Sequence, residues 1–392
     1  MTLGERLDAA TGHLPAPLAV VDLDALEANA TDLVTRAAGT PVRVASKSVR
    51  VRAVLDAVLA RPGFAGVMAY SVREAVWLAQ QGVTDVLVGY PSVDTAGLDE
   101  LAADPVAAAA VTLMVDDVVQ ADLAAKAAAA HGSALAVCLD VDASLRVGIG
   151  PLRAHLGVRR SPVHTPDEAA ALAHAVVQRD GLTVRGVMFY EAQVAGMPDS
   201  SAAVRAVKRL SVRDLARRRG LVVDAVSQVT GERLTLVNSG GSGSVETSVS
   251  DPTVTEVTAG SGLFVPTLFD HYRSFEPRPA AFFGLDVVRV PAPGFATTFG
   301  GGYIASGPPT ASRQPRPVWP AGLALTPREG AGEVQTPLRV PARADLRIGD
   351  RVWFRHAKSG EVMERFAHVH LVRGEAVERT VPTYRGEGRS FG

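Results

Sequence analysis

Through the first two-thirds of the chain, short β-branched runs alternate with Ala- and Leu-rich stretches of helical period. Apolar residues recurring every three or four positions line one side of a helix, whereas brief continuous apolar runs suit strands buried on both faces. Eight such runs are predicted as strands, at residues 42–47, 66–71, 85–90, 111–115, 135–142, 184–191, 235–239 and 255–260. Helices are predicted between most of them, at 51–60, 72–81, 120–131, 166–179 and 204–220. Strands joined by helices run parallel, because each connection must cross back over the sheet. Eight such units predict an α/β fold, a (β/α)8 TIM barrel.

One further strand, Leu18–Asp22, precedes the eight and leads into a helix from about Asp24. It is surplus to the barrel and is assigned to a second domain. Beyond Tyr272 helical periodicity fades, Pro and Gly become dense, and short alternating runs at 286–290 and 351–355 read as strands. Residues 313–322 read as a loop or linker. The expected organisation is a barrel over 24–271 and a smaller β domain built from 1–23 and 272–392.

Composition narrows the function classes. The 392 residues carry a formal net charge of −1, so no basic excess points to nucleic acid or to an anionic membrane. A small-molecule substrate is the expectation. Hydrophobic residues make up 47%, enough for a large core, yet no apolar run is long enough to span a bilayer. The opening MTLGERLDAATGHLP lacks the apolar segment of a secretory signal, so a cytoplasmic protein is expected. The single cysteine, Cys138, excludes an intramolecular disulfide and a cysteine-cluster zinc site, and is expected to be a buried thiol.

The candidate chemistry lies where barrels carry it, at the C-terminal ends of strands. Lys47 ends the first predicted strand, in RVASKS, where apolar surroundings suit an amine to imine chemistry. Two glycine-rich turns follow the seventh and eighth strands: Asn238, Ser239, Gly240, Gly241, Ser242, Gly243, and then Gly260, Ser261, Gly262. The loops after those strands commonly bind phosphate, because glycine lets backbone N–H groups converge on an anion. A phosphate grip and an imine-forming lysine together describe pyridoxal 5′-phosphate (PLP).

The run PLAVVDLDALEAN, then RVASKS, then the two glycine turns resemble the alanine racemase N-terminal-domain superfamily, the fold-type III PLP enzymes. Within it the chain most resembles the D-threonine aldolase and D-serine dehydratase branch. The resemblance implies a PLP barrel, a β domain that takes in the N-terminal strand, and a homodimer. It implies Lys47 as the covalent anchor of the cofactor, Gly240, Gly241, Gly260 and Ser261 as phosphate contacts beside Asn238, and Tyr190 near the ring. A cation at the phenolic oxygen is implied at Arg146 by its local RVGI pattern. His155, in HLGV, is the alternative if 145–154 is an insertion. Thr258 stands where bacterial alanine racemases carry an arginine facing the pyridine nitrogen. Arg159 and Arg160 could bind a substrate carboxylate or simply be solvated, and Glu191 could orient Tyr190 or be a structural acid.

The resemblance also frames the reaction. Alanine racemases use a tyrosine from a G-Y-x-D-G type motif, and this chain has Gly302–Tyr303 without the rest. The lyase branch carries a histidine two residues before a second metal ligand. His356 fits the first position, but Lys358 falls on the second, and an ammonium cannot ligate a metal. The favoured reading makes His356 a base and Lys358 a fixed cation in place of the metal's charge. A weak metal site completed by Lys358 or Glu361, and no metal assistance, stay open, and His368 and His370 are read as a solvated strand face. The expected function is a PLP lyase acting on a D-β-hydroxy-α-amino acid, by retro-aldol cleavage to glycine and an aldehyde or by elimination to a keto acid and ammonia. A racemase or epimerase and a non-catalytic PLP carrier are the alternatives.

Overall fold

The computed structural model describes residues 1–148, 154–197, 199, 201–272, 275–276 and 278–392. The chain parts into two compact units. One comprises residues 1–32, 47–57 and 260–390, and the other 33–46, 58–259 and 391–392.

The second unit holds a closed barrel of eight strands. In chain order they are Val42–Ala45, Phe64–Ala69, Val86–Val88, Val111–Val115, Leu135–Asp140, Leu182–Phe189, Leu236–Ser239 and Glu256–Ala259. Every neighbouring pair is parallel, and the eighth strand closes on the first through Val257, Thr258 and Ala259 against Val42, Arg43 and Val44. All eight predicted strands are present. The first is shorter than predicted, ending at Ala45, and Lys47 falls in the one-turn 3₁₀ helix Ser46–Ser48 that follows.

Helices cross between the strands. Thr95–Ala103 and Pro105–Ala110, which periodicity did not pick out, share the third crossover. The predicted 204–220 helix runs over Ala202–Thr230, from a Ser201 side-chain cap to Gly231 at φ +75°. Gly220 lies inside it. An internal glycine costs about 1 kcal/mol relative to alanine, which weakens a helix without ending it. Of the stretch 145–154 weighed as an insertion, Leu145–Val147 and Ala154–Leu156 form an antiparallel hairpin, and 149–153 lie outside the described residues.

Side chains fill the barrel in layers. At the N-terminal end of the strands, Arg43 is wholly buried. Its Nε donates to Glu256 Oε1 at 2.6 Å, and one terminal nitrogen, Nη2, donates to both Glu256 Oε2 and Asp85 Oδ2, each at 2.8 Å. Asp85 also accepts from Arg185 at 2.9 Å. Above this network Leu87, Met114, Cys138, Met188 and Leu236 pack as an apolar layer, with Met68 against it. Cys138 is the buried thiol expected, and burial pushes its pKa up.

In the first unit, Leu18–Asp22 pairs antiparallel with Ala281–Ala292 and parallel with His368–Arg373. Leu7, Ala10, Leu18, Val20, Phe282, Trp353 and Val372 form its apolar cluster. Leu7 and Ala10 come from a helix, Leu3–Thr11, that was not predicted and that starts on a Thr2–Glu5 capping box. The 313–322 linker reading is corrected. Arg316–Trp319 is a strand against Arg351–Arg355, and Pro317 sits in it because this strand pairs on one side only. No described helix is long and apolar enough to cross a membrane.

Replacing Arg43 with Met leaves buried Glu256 without its cation and Asp85 with Arg185 alone. Unfolding by urea should show a loss of about 3–5 kcal/mol, the usual cost of stranding buried charge. An unchanged midpoint would show that the network contributes little.

Candidate active site

In the first unit, Lys47 is half-buried, and the C-terminal segment from His356 to Glu364 packs onto the backbone around it. Gly360 shows how close that packing is. Its φ is +97°, and a Cβ there would stand 1.9 Å from the Lys47 carbonyl oxygen, so only glycine fits. The same carbonyl accepts from Arg50 Nε at 3.1 Å, and Arg50 pairs with Glu364 at 2.9 Å. Ser48 and Ser261 hydroxyls meet at 3.1 Å. The Ser359 hydroxyl reaches the Ser261 carbonyl at 3.5 Å and His356 Nε2 at 3.2 Å. Lys47, Ser261 and His356, far apart in sequence, are thus linked through two serines.

His356 is buried, edge-on to Phe264 at 6.5 Å between ring centres. Burial, then the charge of Arg355, lowers its pKa to about 3. The imidazole is therefore neutral and, without a bound anion to raise its basicity, a reluctant base. That qualifies the general-base expectation, because desolvation penalises the imidazolium. Lys358 is exposed, its Nζ donating to Ser306 Oγ at 2.6 Å. His356, Lys358, Glu361 and Tyr303 border one cavity of about 90 Å³. Glu361 accepts from the Ser306 N–H at 2.9 Å. Among the described residues no group of three His, Cys, Asp or Glu side chains is placed to hold a metal.

In the barrel unit, Tyr190 follows the sixth strand and stands against the turn after the seventh, where its ring would lie 3.5 Å from a Cβ on Gly241. The Arg160 guanidinium lies 5.3 Å from the centre of that ring and 5.9 Å from that of Tyr90. Burial raises the Tyr190 pKa, and the Arg160 charge opposes the rise. A cavity of about 440 Å³ opens here, lined by Tyr90, Asp116, Asp140, Arg160, Met188 and Tyr190. Asp140 is pushed up to about 7 by burial and by the charge of Asp116, against the pull of Arg160.

Arg146 donates to Asp142 at 2.7 Å, and His155 faces it across the hairpin. Hydrogen bonds from His164, Ser144 and Arg146 outweigh burial and hold the Asp142 carboxyl well below the usual range. His155 Nε2 meets the Val158 carbonyl at 3.1 Å.

Three sequence expectations change in detail. Asn238 belongs to the seventh strand, not to the turn, and its amide points into the barrel, donating to Glu256 Oε1 and Thr258 Oγ1, each at 2.7 Å. Both of its amide protons are thus taken inside the barrel. The Gly240 N–H is taken by Glu191 Oε2 at 3.1 Å, and the Gly241 N–H by Ser244 Oγ at 3.1 Å. These two glycines shape the turn, and both amides have partners within the protein. Gly240, at φ +89°, needs glycine for its backbone. Gly260 and Ser261 directly follow the eighth strand, at the start of the short helix Ser261–Phe264. Asp140 was missed as a site group, and Glu191 was weighed without its partners. The one available signal was a carboxylate at or just past a strand end.

A family model described as "Alanine racemase, N-terminal domain" matches residues 21–267. The chain is 30% identical over 264 residues to a 3-hydroxy-D-aspartate aldolase of Paracoccus denitrificans, covering 64% of this chain and 61% of that protein. The match thus spans about three-fifths of the curated relative's length. A D-threonine aldolase structure from Filomicrobium marinum superposes with a TM-score of 0.78 at 22% identity, covering 95% of this chain and 96% of that one. The D-threo-3-hydroxyaspartate dehydratase of Delftia sp. HT23 superposes with a TM-score of 0.71 at 20% identity, covering 94% and 97%. At these identities the two structures establish the shared fold.

Asp140 carries a pH signature. An unfolded aspartate titrates near ~3.9. With the native value raised to about 7, the folded state holds the proton more tightly. The stability this acid contributes is complete below the unfolded value and is lost as pH rises through the native one. Asp140→Asn should therefore lose less stability than the wild type across that window, measured by urea unfolding at stepped pH. Parallel profiles would show that the carboxyl is not held as an acid.

Proposed function

Because this chain belongs to the alanine racemase N-terminal domain family, we propose that it is a PLP-dependent lyase acting on a D-configured β-hydroxy-α-amino acid. The observation that carries this reading is the seating of neutral His356 beside Lys358 on one cavity, in the same unit as Lys47. The names of the relatives support it, since the 30% identical protein is an aldolase for 3-hydroxy-D-aspartate.

The residues present fit the cofactor. Lys47 offers an amine just past the first barrel strand, and the turns at 240–244 and 260–262 follow the strands where barrels bind phosphate. Thr258 supports the fit from within the barrel. Its oxygen accepts from Asn238, and its own proton would be available to a ring nitrogen. A neutral hydroxyl there would supply no charge to that nitrogen. When bound, the cofactor supplies an electron sink for charge at Cα.

The chain's own groups then divide the work. Lys47 would hold the cofactor and afterwards be freed as an amine to move a proton at Cα. His356 would accept a hydrogen bond from the substrate β-hydroxyl, and an anionic substrate alongside would raise its basicity. Lys358 would stabilise the oxygen as its proton leaves, the electrostatic service a metal would otherwise render. Tyr190 and Arg160 would border the ring and the substrate carboxylate. The reading also carries a homodimer in the cytoplasm, and ultracentrifugation checks its oligomeric part.

Purified protein with PLP should be given D- and L-β-hydroxy amino acids, with assays for aldehyde, keto acid and deuterium at Cα. The expected result is cleavage of D substrates only. Exchange at Cα without cleavage would overturn the reading in favour of a racemase, and cofactor binding without any turnover in favour of a carrier. Lys47→Ala should abolish the long-wavelength absorbance of the bound cofactor. Lys358→Met should lower kcat about 100- to 1,000-fold, while EDTA should leave the wild type unchanged. A large loss on chelation contradicts the role given to Lys358.

A further inference from the structure

Glu191 is buried just beyond the sixth barrel strand, and its carboxylate collects four hydrogen bonds from one short stretch of chain. Oε2 accepts from Ser239 Oγ at 3.0 Å and from the Gly240 N–H at 3.1 Å. Oε1 accepts from Ser244 Oγ at 3.2 Å and from Ser248 Oγ. The backbone carbonyls of Phe189, Gly241 and Ser244 also lie within reach of these hydroxyls. Each hydroxyl has a single proton, and a carboxylate is the stronger acceptor, so the protons go to Glu191. All four donors come from residues 239–248: the last residue of the seventh strand, the turn after it and the short helix behind. The same turn is held from its other side by Arg36, which donates to the Ser242 carbonyl and pairs with Glu246, each at 3.0 Å. Gly240 leaves no slack, since a Cβ there would stand 3.2 Å from Ser248 Oγ.

A buried carboxylate with this many donors does more than fill space. A serine-rich glycine turn has many shapes of similar energy, and an anion binding to a mobile turn must first order it. Four bonds to one carboxylate select a single shape. We propose that Glu191 is a positioning residue for the phosphate end of the cofactor, folding the 240–244 turn into its anion-receiving shape before the phosphate arrives. The proposal rests on the reading of the preceding section that PLP is bound and that this turn takes its phosphate. Glu191 itself does not touch the phosphate, because its oxygens face the turn's own donors.

The test compares two probes that differ only by the phosphate. Dissociation constants for PLP and for pyridoxal are measured by absorbance titration on wild type, Glu191→Gln and Ser248→Ala, with melting curves as a check on folding. Glutamine brings an N–H into a site where four donors converge. It should weaken PLP about tenfold, the scale of one charge-assisted hydrogen bond, and leave pyridoxal within about twofold. Ser248→Ala should move the PLP-to-pyridoxal ratio in the same direction by less. Equal weakening of both probes, or an unchanged ratio, overturns the proposal, because a merely structural role does not discriminate between them. If Glu191→Gln does not fold, Ser248→Ala decides alone, and an unchanged ratio again overturns the proposal. A wild type that binds both probes equally sinks the phosphate reading itself and so separates the two failures.

Discussion

Arg43 lies wholly out of water inside the barrel, and a cation there must be met by carboxylates at hydrogen-bond distance. Glu256 and Asp85 meet it. Each is fixed in turn, and their second partners carry the order upward and sideways. Glu256 takes one amide proton of Asn238, which sets the orientation of that amide, and the other proton goes to Thr258. One buried charge thus fixes one hydrogen bond of a hydroxyl two residues further along the eighth strand. Asp85 ties in Arg185 of the sixth strand, so the same network braces strands on opposite sides of the barrel.

Above that network the fold divides labour between rigid strands and short connections. Each barrel strand is paired on both sides, so variation enters at the strand ends. After the seventh strand the connection to the eighth is brief, holding only the four-residue helix Val245–Ser248, and it stays close to the barrel. Such a connection cannot bury its own polar groups in regular structure, and Glu191 from the neighbouring strand end satisfies them. Arg219 plays a matching part deeper in, donating to Ser239 Oγ while paired with Asp251.

The barrel was largely legible in the sequence, and for a local reason. A strand buried on both faces must be apolar throughout, and its crossover helix must be apolar along one side, so both leave periodic marks. The pieces that were missed leave weaker marks. The helix Leu3–Thr11 spans only nine residues and buries few of them, and its clearest signal was the Thr2–Glu5 cap. The strand Arg316–Trp319 sits among prolines, where composition suggests a linker, and only pairing with Arg351–Arg355 reveals it.

The site divides along the same line. Lys47, the two glycine turns, Tyr190 and His356 could be singled out from residue type and position along the chain. Sequence by itself determined the class of fold and the strand ends from which chemistry would come, because burial is written in local periodicity. Only the tertiary structure decided which polar groups meet. Glu191 finds donors 48 to 57 residues further on, Asn238 turns inward rather than toward the turn, and the His356 segment closes over the backbone of Lys47. A hydrogen bond depends on a few ångströms of separation between distant segments. That separation exists only once the strands have paired in one order and the barrel has closed.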